Sequence, residues 1–92
     1  MKLQKTWGGM MEIILNKQAI KFLKRQEKAF QLRVYEALKG LKEKPPIGDI
    51  KKLKGIDNMY RLRIGTYRII FTVDFQKEMI NILAINNRGD IY

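Results

Sequence analysis

Two adjacent prolines, Pro45-Pro46, separate a stretch with helical hydrophobic spacing from one rich in β-type residues, and this break constrains the fold more than any other feature. Neither ring nitrogen can donate a hydrogen bond, and the residue before each proline is pushed out of the α region, so a helix is expected to stop there. Upstream, Phe30, Val34, Ala37, Leu38 and Leu41 fall on one helical face and form a continuous core stripe. Earlier still, Asn16 is a plausible N-cap, because its side-chain carbonyl can accept an orphan N–H of the next turn. The helix it starts carries Ala19, Ile20 and Leu23 on one side, with Lys17, Lys21, Lys24, Arg25 and Lys28 mostly on the other. An αα-hairpin is therefore expected, preceded by a buried strand at Met11-Glu12-Ile13-Ile14-Leu15.

Beyond the prolines lie a loop, Ile47-Gly48-Asp49-Ile50, and a basic segment, Lys51-Lys52-Leu53-Lys54-Gly55. The β-type residues that follow predict strands from Met59 to Ile64, Tyr67 to Phe75 and Met79 to Asn86. Gly65-Thr66 turns the first hairpin and Gln76-Lys77-Glu78 the second. The expectation is an α+β fold: an N-terminal strand, an αα-hairpin, then a three-stranded antiparallel meander, forming one sheet packed on the helices. Tyr60, Leu62, Ile64, Ile69 and Phe71 supply the apolar face that meets them.

A chain of 92 residues fits a single domain, expected over residues 11–92. Residues 1–10 have no hydrophobic period and include Gly8-Gly9, so a poorly ordered extension is expected, and Met10-Met11 offers an internal translation start. The chain contains no Cys and no His, which removes thiolate metal sites, disulfides and the usual neutral-pH proton shuttle. No run approaches the roughly 18 to 20 apolar residues of a membrane span. With no apolar signal segment after Lys2, the expectation is a cytoplasmic protein without membrane or metal. Nineteen Lys plus Arg against nine Asp plus Glu give a net charge of +10, which makes nucleic acid the first partner to consider.

Side chains alternate along Tyr60-Arg61-Leu62-Arg63-Ile64, so Arg61 and Arg63 share a face. A two-residue Gly65-Thr66 loop pairs Ile64 with Tyr67 and Arg63 with Arg68, and directly opposed residues point the same way. Arg61, Arg63 and Arg68 are thus gathered into one patch, although opposed like charges destabilise a sheet. A phosphodiester accounts for the patch, because guanidinium groups offer planar forks matched to phosphate oxygens and can stabilise a phosphorane-like transition state. The competing reading is a solvated face whose arginines splay into water or pair with Asp57, Asp74 or Asp90. Lys51, Lys52 and Lys54 either contact phosphates or simply solvate an edge. Tyr92 either stacks on a base or frays with the terminus.

Together, Lys51-Lys52-Leu53-Lys54-Gly55, Tyr60-Arg61-Leu62-Arg63-Ile64-Gly65, Tyr67-Arg68-Ile69 and Arg88-Gly89-Asp90-Ile91-Tyr92 resemble the RelE branch of the RelE/ParE toxin superfamily. The resemblance runs from about Met11 to Tyr92. It implies the toxin of a type II toxin–antitoxin pair, held in check by a cognate acidic antitoxin. It further implies a metal-independent endoribonuclease, an mRNA interferase that needs no cofactor and in many relatives cuts mRNA only on the ribosome. In such enzymes the RNA's own 2′-hydroxyl attacks the neighbouring phosphate, leaving a 2′,3′-cyclic phosphate. By resemblance, Arg61, Arg63, Arg68, Arg88 and Tyr92 are the catalytic positions and Lys54 holds RNA, with Lys51 and Lys52 beside it as further RNA-binding candidates on charge. The chain departs from the family in having Asn87 where many relatives have His, and arginines at 61 and 63 where the best-studied members have Lys. Arginine keeps its proton, so the base would be Tyr92, Lys54 or a group of ribosomal RNA. Two alternatives carry other functions: a ParE-like toxin that inhibits DNA gyrase, and a basic RNA-binding module that does not cleave.

Overall fold

The structure, a computed structural model, describes residues 11–43 and 45–87. The expected extension at residues 1–10 lies outside them. In chain order the elements are β1 (Glu12–Leu15), α1 (Lys17–Lys24), α2 (Lys28–Gly40), β2 (Asp49–Lys52), β3 (Met59–Ile64), β4 (Tyr67–Asp74) and β5 (Met79–Asn87). They form one five-stranded sheet in the order β1-β5-β4-β3-β2. β1 runs parallel to β5, and the other neighbours are antiparallel. No helix among the described residues is long and apolar enough to cross a membrane.

The α+β architecture is as expected, but the strand count is not. Asp49 and Ile50, read from sequence as loop, join Lys51 and Lys52 in β2, an edge strand paired with β3. Only Ile50 of this strand packs against the core, so the segment lacks the apolar alternation that marks a strand. Its lysines are typical of a sheet edge protected by charge.

Both helices begin and end for local reasons. Asn16 caps α1, its Oδ1 accepting from the Ala19 N–H at 3.0 Å. Ala19 is fully buried, but Ile20, expected beside it, is 41% exposed. Phe22 takes its place, meeting Phe30 and Tyr67 edge-on at 6.3 and 5.9 Å between ring centroids. The stripe of α2 is in the core as expected, with Val34, Leu38 and Leu41 buried and Phe30 and Ala37 packed against them. The prolines do not end this helix. It stops earlier, at Gly40, because the returning chain docks there: the Gly40 carbonyl accepts from the Ile47 N–H at 2.9 Å.

The helices cover the sheet face formed by Leu62, Ile69, Phe71, Val73, Ile80, Ile82 and Ile85. In β5, Ile82 pairs with Phe71 while Ala84 pairs with Ile70, leaving Leu83 as the extra residue of a bulge. The bulge changes the alternation, so Ile82 and Ile85, three positions apart, both face the core. Gln18 of α1 stitches this point to the helices, its Oε1 accepting from the Ile85 N–H at 3.1 Å.

A Cβ added at Gly40 would lie 2.8 Å from the Ile47 carbonyl oxygen, a backbone atom that cannot swing aside. Glycine to alanine normally favours a helix by about 1 kcal/mol. Here Gly40→Ala is expected to lower stability by about 1–3 kcal/mol, as overpacking does. The loss would appear as a lower urea midpoint at unchanged slope. A raised midpoint would mean that the helix end is not held by this close approach.

Candidate functional site

The site is built on the face of the sheet away from the helices. Gly65 has a φ of 59° and Thr66 a negative one, the pattern of a two-residue turn with glycine in the first central place. Across it Ile64 pairs with Tyr67 and Arg63 with Arg68, the register expected from sequence. Leu62 and Ile69 are opposed and buried under the helices, so Arg61, Arg63 and Arg68 project from the opposite face. Ile70, across from Arg61, is buried on this arginine face and stands outside the main core cluster.

β2 extends the patch. Its pairing sets Asp49 opposite Arg63 and Lys51 opposite Arg61. A cleft of about 390 Å³ is lined by Lys51, Lys52, Leu53, Lys54, Arg61, Arg63 and Arg68. All three predicted lysines therefore line the same cleft as the three arginines. Arg88 and Tyr92 lie outside the described residues, so their placement is not part of this geometry.

Among the described residues, the carboxylate that answers Arg61 and Arg63 is not one of those considered from sequence. Asp74 is engaged in its own turn, where its Oδ1 accepts from the Lys77 N–H at 3.0 Å, and Asp90 lies outside the described residues. Asp57 sits in the turn before β3 and makes no ion pair with the arginines. Asp49 does: its Oδ2 accepts from Arg63 Nε at 2.9 Å, and its Oδ1 lies 3.7 Å from Arg61 Nη1. Arg61 Nη1 is buried and makes no hydrogen bond. Sequence reading missed Asp49 because it missed β2. The available signal was the short alternation Asp49, Ile50, Lys51, which places both charged residues on the side opposite Ile50. Asn86 was missed as well; it pairs with Arg68 and so adds an amide to the same face.

Both side chains of the Asp49–Arg63 pair are 49% exposed, whereas the Arg61 side chain is only 11% exposed. An exposed pair of this kind contributes about 0–1 kcal/mol. The face is thus a partly neutralised cationic cleft on a rigid sheet, suited to a polyanion with closely spaced phosphates.

This architecture is that of a small α+β domain with an open cationic sheet face, and known proteins share it. Residues 13–92 match the family described as ParE toxin of type II toxin-antitoxin system, parDE. A Methanocaldococcus jannaschii protein named RelE1 is 43% identical over 44 residues, 48% of this chain and 49% of that protein. The match therefore spans about half the length of that curated relative. The archaeal RelE–RelB complex from Pyrococcus horikoshii contains a chain that superposes with a TM-score of 0.76 at 31% identity, covering 89% of this chain and 99% of that one. The isolated Escherichia coli RelE toxin shares the fold, with a TM-score of 0.71 at 18% identity over 84% of this chain and 83% of that one. The chain belongs to the RelE/ParE superfamily, the toxins of type II toxin–antitoxin systems.

Self-repulsion on this face and a net charge of +10 should make stability rise with salt. Thermal melts are expected to shift upward by a few degrees between about 50 and about 500 mM sodium chloride. A melting temperature that falls with salt would show that attractive pairs such as Asp49–Arg63 outweigh the repulsion.

Proposed function

We propose that this chain is the toxin of a type II toxin–antitoxin pair and acts as a metal-independent endoribonuclease on mRNA engaged with the ribosome. The observation that carries this reading is the convergence of Arg61, Arg63 and Arg68 on one sheet face, in a cleft whose rim holds Lys51, Lys52 and Lys54. The lysines hold the RNA backbone as point charges, and the arginines grip the scissile phosphate through their donor forks. The 2′-hydroxyl oxygen attacks that phosphorus while the bond to the leaving 5′-oxygen breaks. A 2′,3′-cyclic phosphate and a 5′-hydroxyl end result. Arg61, Arg63 and Arg68 stabilise the negative charge that grows on the non-bridging oxygens.

Guanidinium groups stay protonated and do not take the 2′-hydroxyl proton. That role falls to the Lys54 amine at the cleft rim, to Tyr92 or to ribosomal RNA. Charge stabilisation and alignment of the attacking oxygen then supply most of the acceleration. The Pyrococcus horikoshii relative is found in a complex with RelB. By analogy, the partner of this chain is a cognate acidic antitoxin whose carboxylates cover the arginine face.

A second reading has its own support, since the matching family is described as the ParE toxin. It makes the chain a gyrase inhibitor with no RNA chemistry. The two readings diverge on induction in cells. Primer extension on translated mRNA is expected to reveal codon-linked breaks with the wild type. With Arg68→Ala the cleavage rate should fall about 10²–10³-fold, the usual cost of removing one donor to a developing oxyanion. Intact transcripts with arrested replication would select the gyrase reading, and undiminished cleavage by a folded Arg68→Ala protein would refute the catalytic assignment.

A further inference from the structure

We infer that Asp49 is a resident occupant of the phosphate position, a chain-held carboxylate that an RNA phosphate must displace. This rests on the arginine face being an RNA site, and adds a residue that lowers the affinity of the cleft for any anion, a loss that a strand with further contacts can offset. The two oxygens of Asp49 address two different guanidinium groups, Oδ2 on Arg63 Nε at 2.9 Å and Oδ1 toward Arg61 Nη1 at 3.7 Å. Two oxygens spread across two donor forks is also how the non-bridging oxygens of a phosphate are held.

The fit is incomplete, and the mismatch gives displacement its driving force. Arg61 Nη1 is buried without a hydrogen bond, and Asp49 stops short of it because its side chain is tied to β2. β2 cannot simply shift. Gly48, just before it, has a φ of 143°, and a Cβ there would lie 2.8 Å from Leu62 Cδ1, so the chain passes close over the core at this point. A phosphate carried by RNA is not tethered in this way and can reach hydrogen-bond distance from both arginines. Asp49 is half exposed, so its carboxylate can turn into water as the phosphate enters.

Asp49 therefore lowers the affinity of the cleft for every anion by a similar factor. A single inorganic phosphate has no further contacts with which to offset that loss. An RNA strand also engages Lys51, Lys52 and Lys54 along the same cleft. The carboxylate thus works as an internal competitor and keeps Arg61 and Arg63 oriented while the cleft waits for substrate.

The test is fluorescence anisotropy with a labelled 2′-O-methyl RNA oligomer, which lacks the attacking hydroxyl and so reports binding alone. Asp49→Asn keeps the side-chain shape and removes one charge beside Arg63. It is expected to bind this RNA about five- to tenfold more tightly at low salt, with the gain shrinking as salt screens it. Asp49→Ala, which also cannot bridge the arginines, should change affinity in the same direction. In an Arg63→Ala background the gain from Asp49→Asn should be smaller. Equal or weaker binding by folded Asp49→Asn and Asp49→Ala would overturn the inference and leave Asp49 as a positioning residue. Failure of the wild type itself to bind would overturn the RNA reading of the face, and this inference with it.

Discussion

The register of the β3–β4 hairpin, with Arg63 across from Arg68, is the constraint on which both core and site depend. A slip of one residue would turn Leu62, Ile69 and Phe71 out to water and drive the arginines beneath the helices. Each of those apolar side chains gains about 1.5–3 kcal/mol from burial, whereas an opposed like-charged pair costs less than about 1 kcal/mol. Core burial therefore wins and forces the arginines together. The Gly65 turn supplies the matching local geometry, so turn and core specify the same pairing.

A sheet face that holds mutually repelling charges where pairing is directly opposed violates a local rule of stability. Such violations concentrate where function demands them. The fold limits the damage in two ways: Asp49 enters from β2 to bridge two of the cations, and the site is placed on β-ladder backbone rather than on a loop. The ladder fixes the backbone positions from which Arg61, Arg63 and Arg68 project, and the proposed chemistry depends on such positioning.

Much of this was legible in the sequence because it depends on short-range rules. The stripe from Phe30 to Leu41, the Asn16 cap and the Gly65-Thr66 turn are each determined by a few neighbouring residues, and each appears where expected. What escaped was decided across the chain. β2 carries one packed apolar residue, Ile50, and is a strand because β3 offers it an edge. α2 ends at Gly40 because Ile47 returns to it, a contact invisible beside the stronger proline signal. Phe22 displaces Ile20 from the core because the ring of Tyr67, distant in sequence, is there to meet it. The bulge at Leu83 likewise follows from the need of two isoleucines to reach the same core. Missing β2 also concealed Asp49, and with it the carboxylate that meets Arg61 and Arg63.

β2 also meets two demands that usually compete. An edge strand must discourage pairing with other chains, and lysines on a short segment do so. A polyanion cleft needs cations at its rim, and Lys51 and Lys52 stand there with Lys54 just beyond the strand. The same charges therefore end the sheet and open the site. A β2 rich in apolar residues would bind β3 equally well through its backbone, because the ladder uses no side chains. It would, however, leave Arg61 and Arg63 without Asp49 and leave the cleft with a greasy rim, so the composition that hid this strand from sequence reading is what suits it to its place.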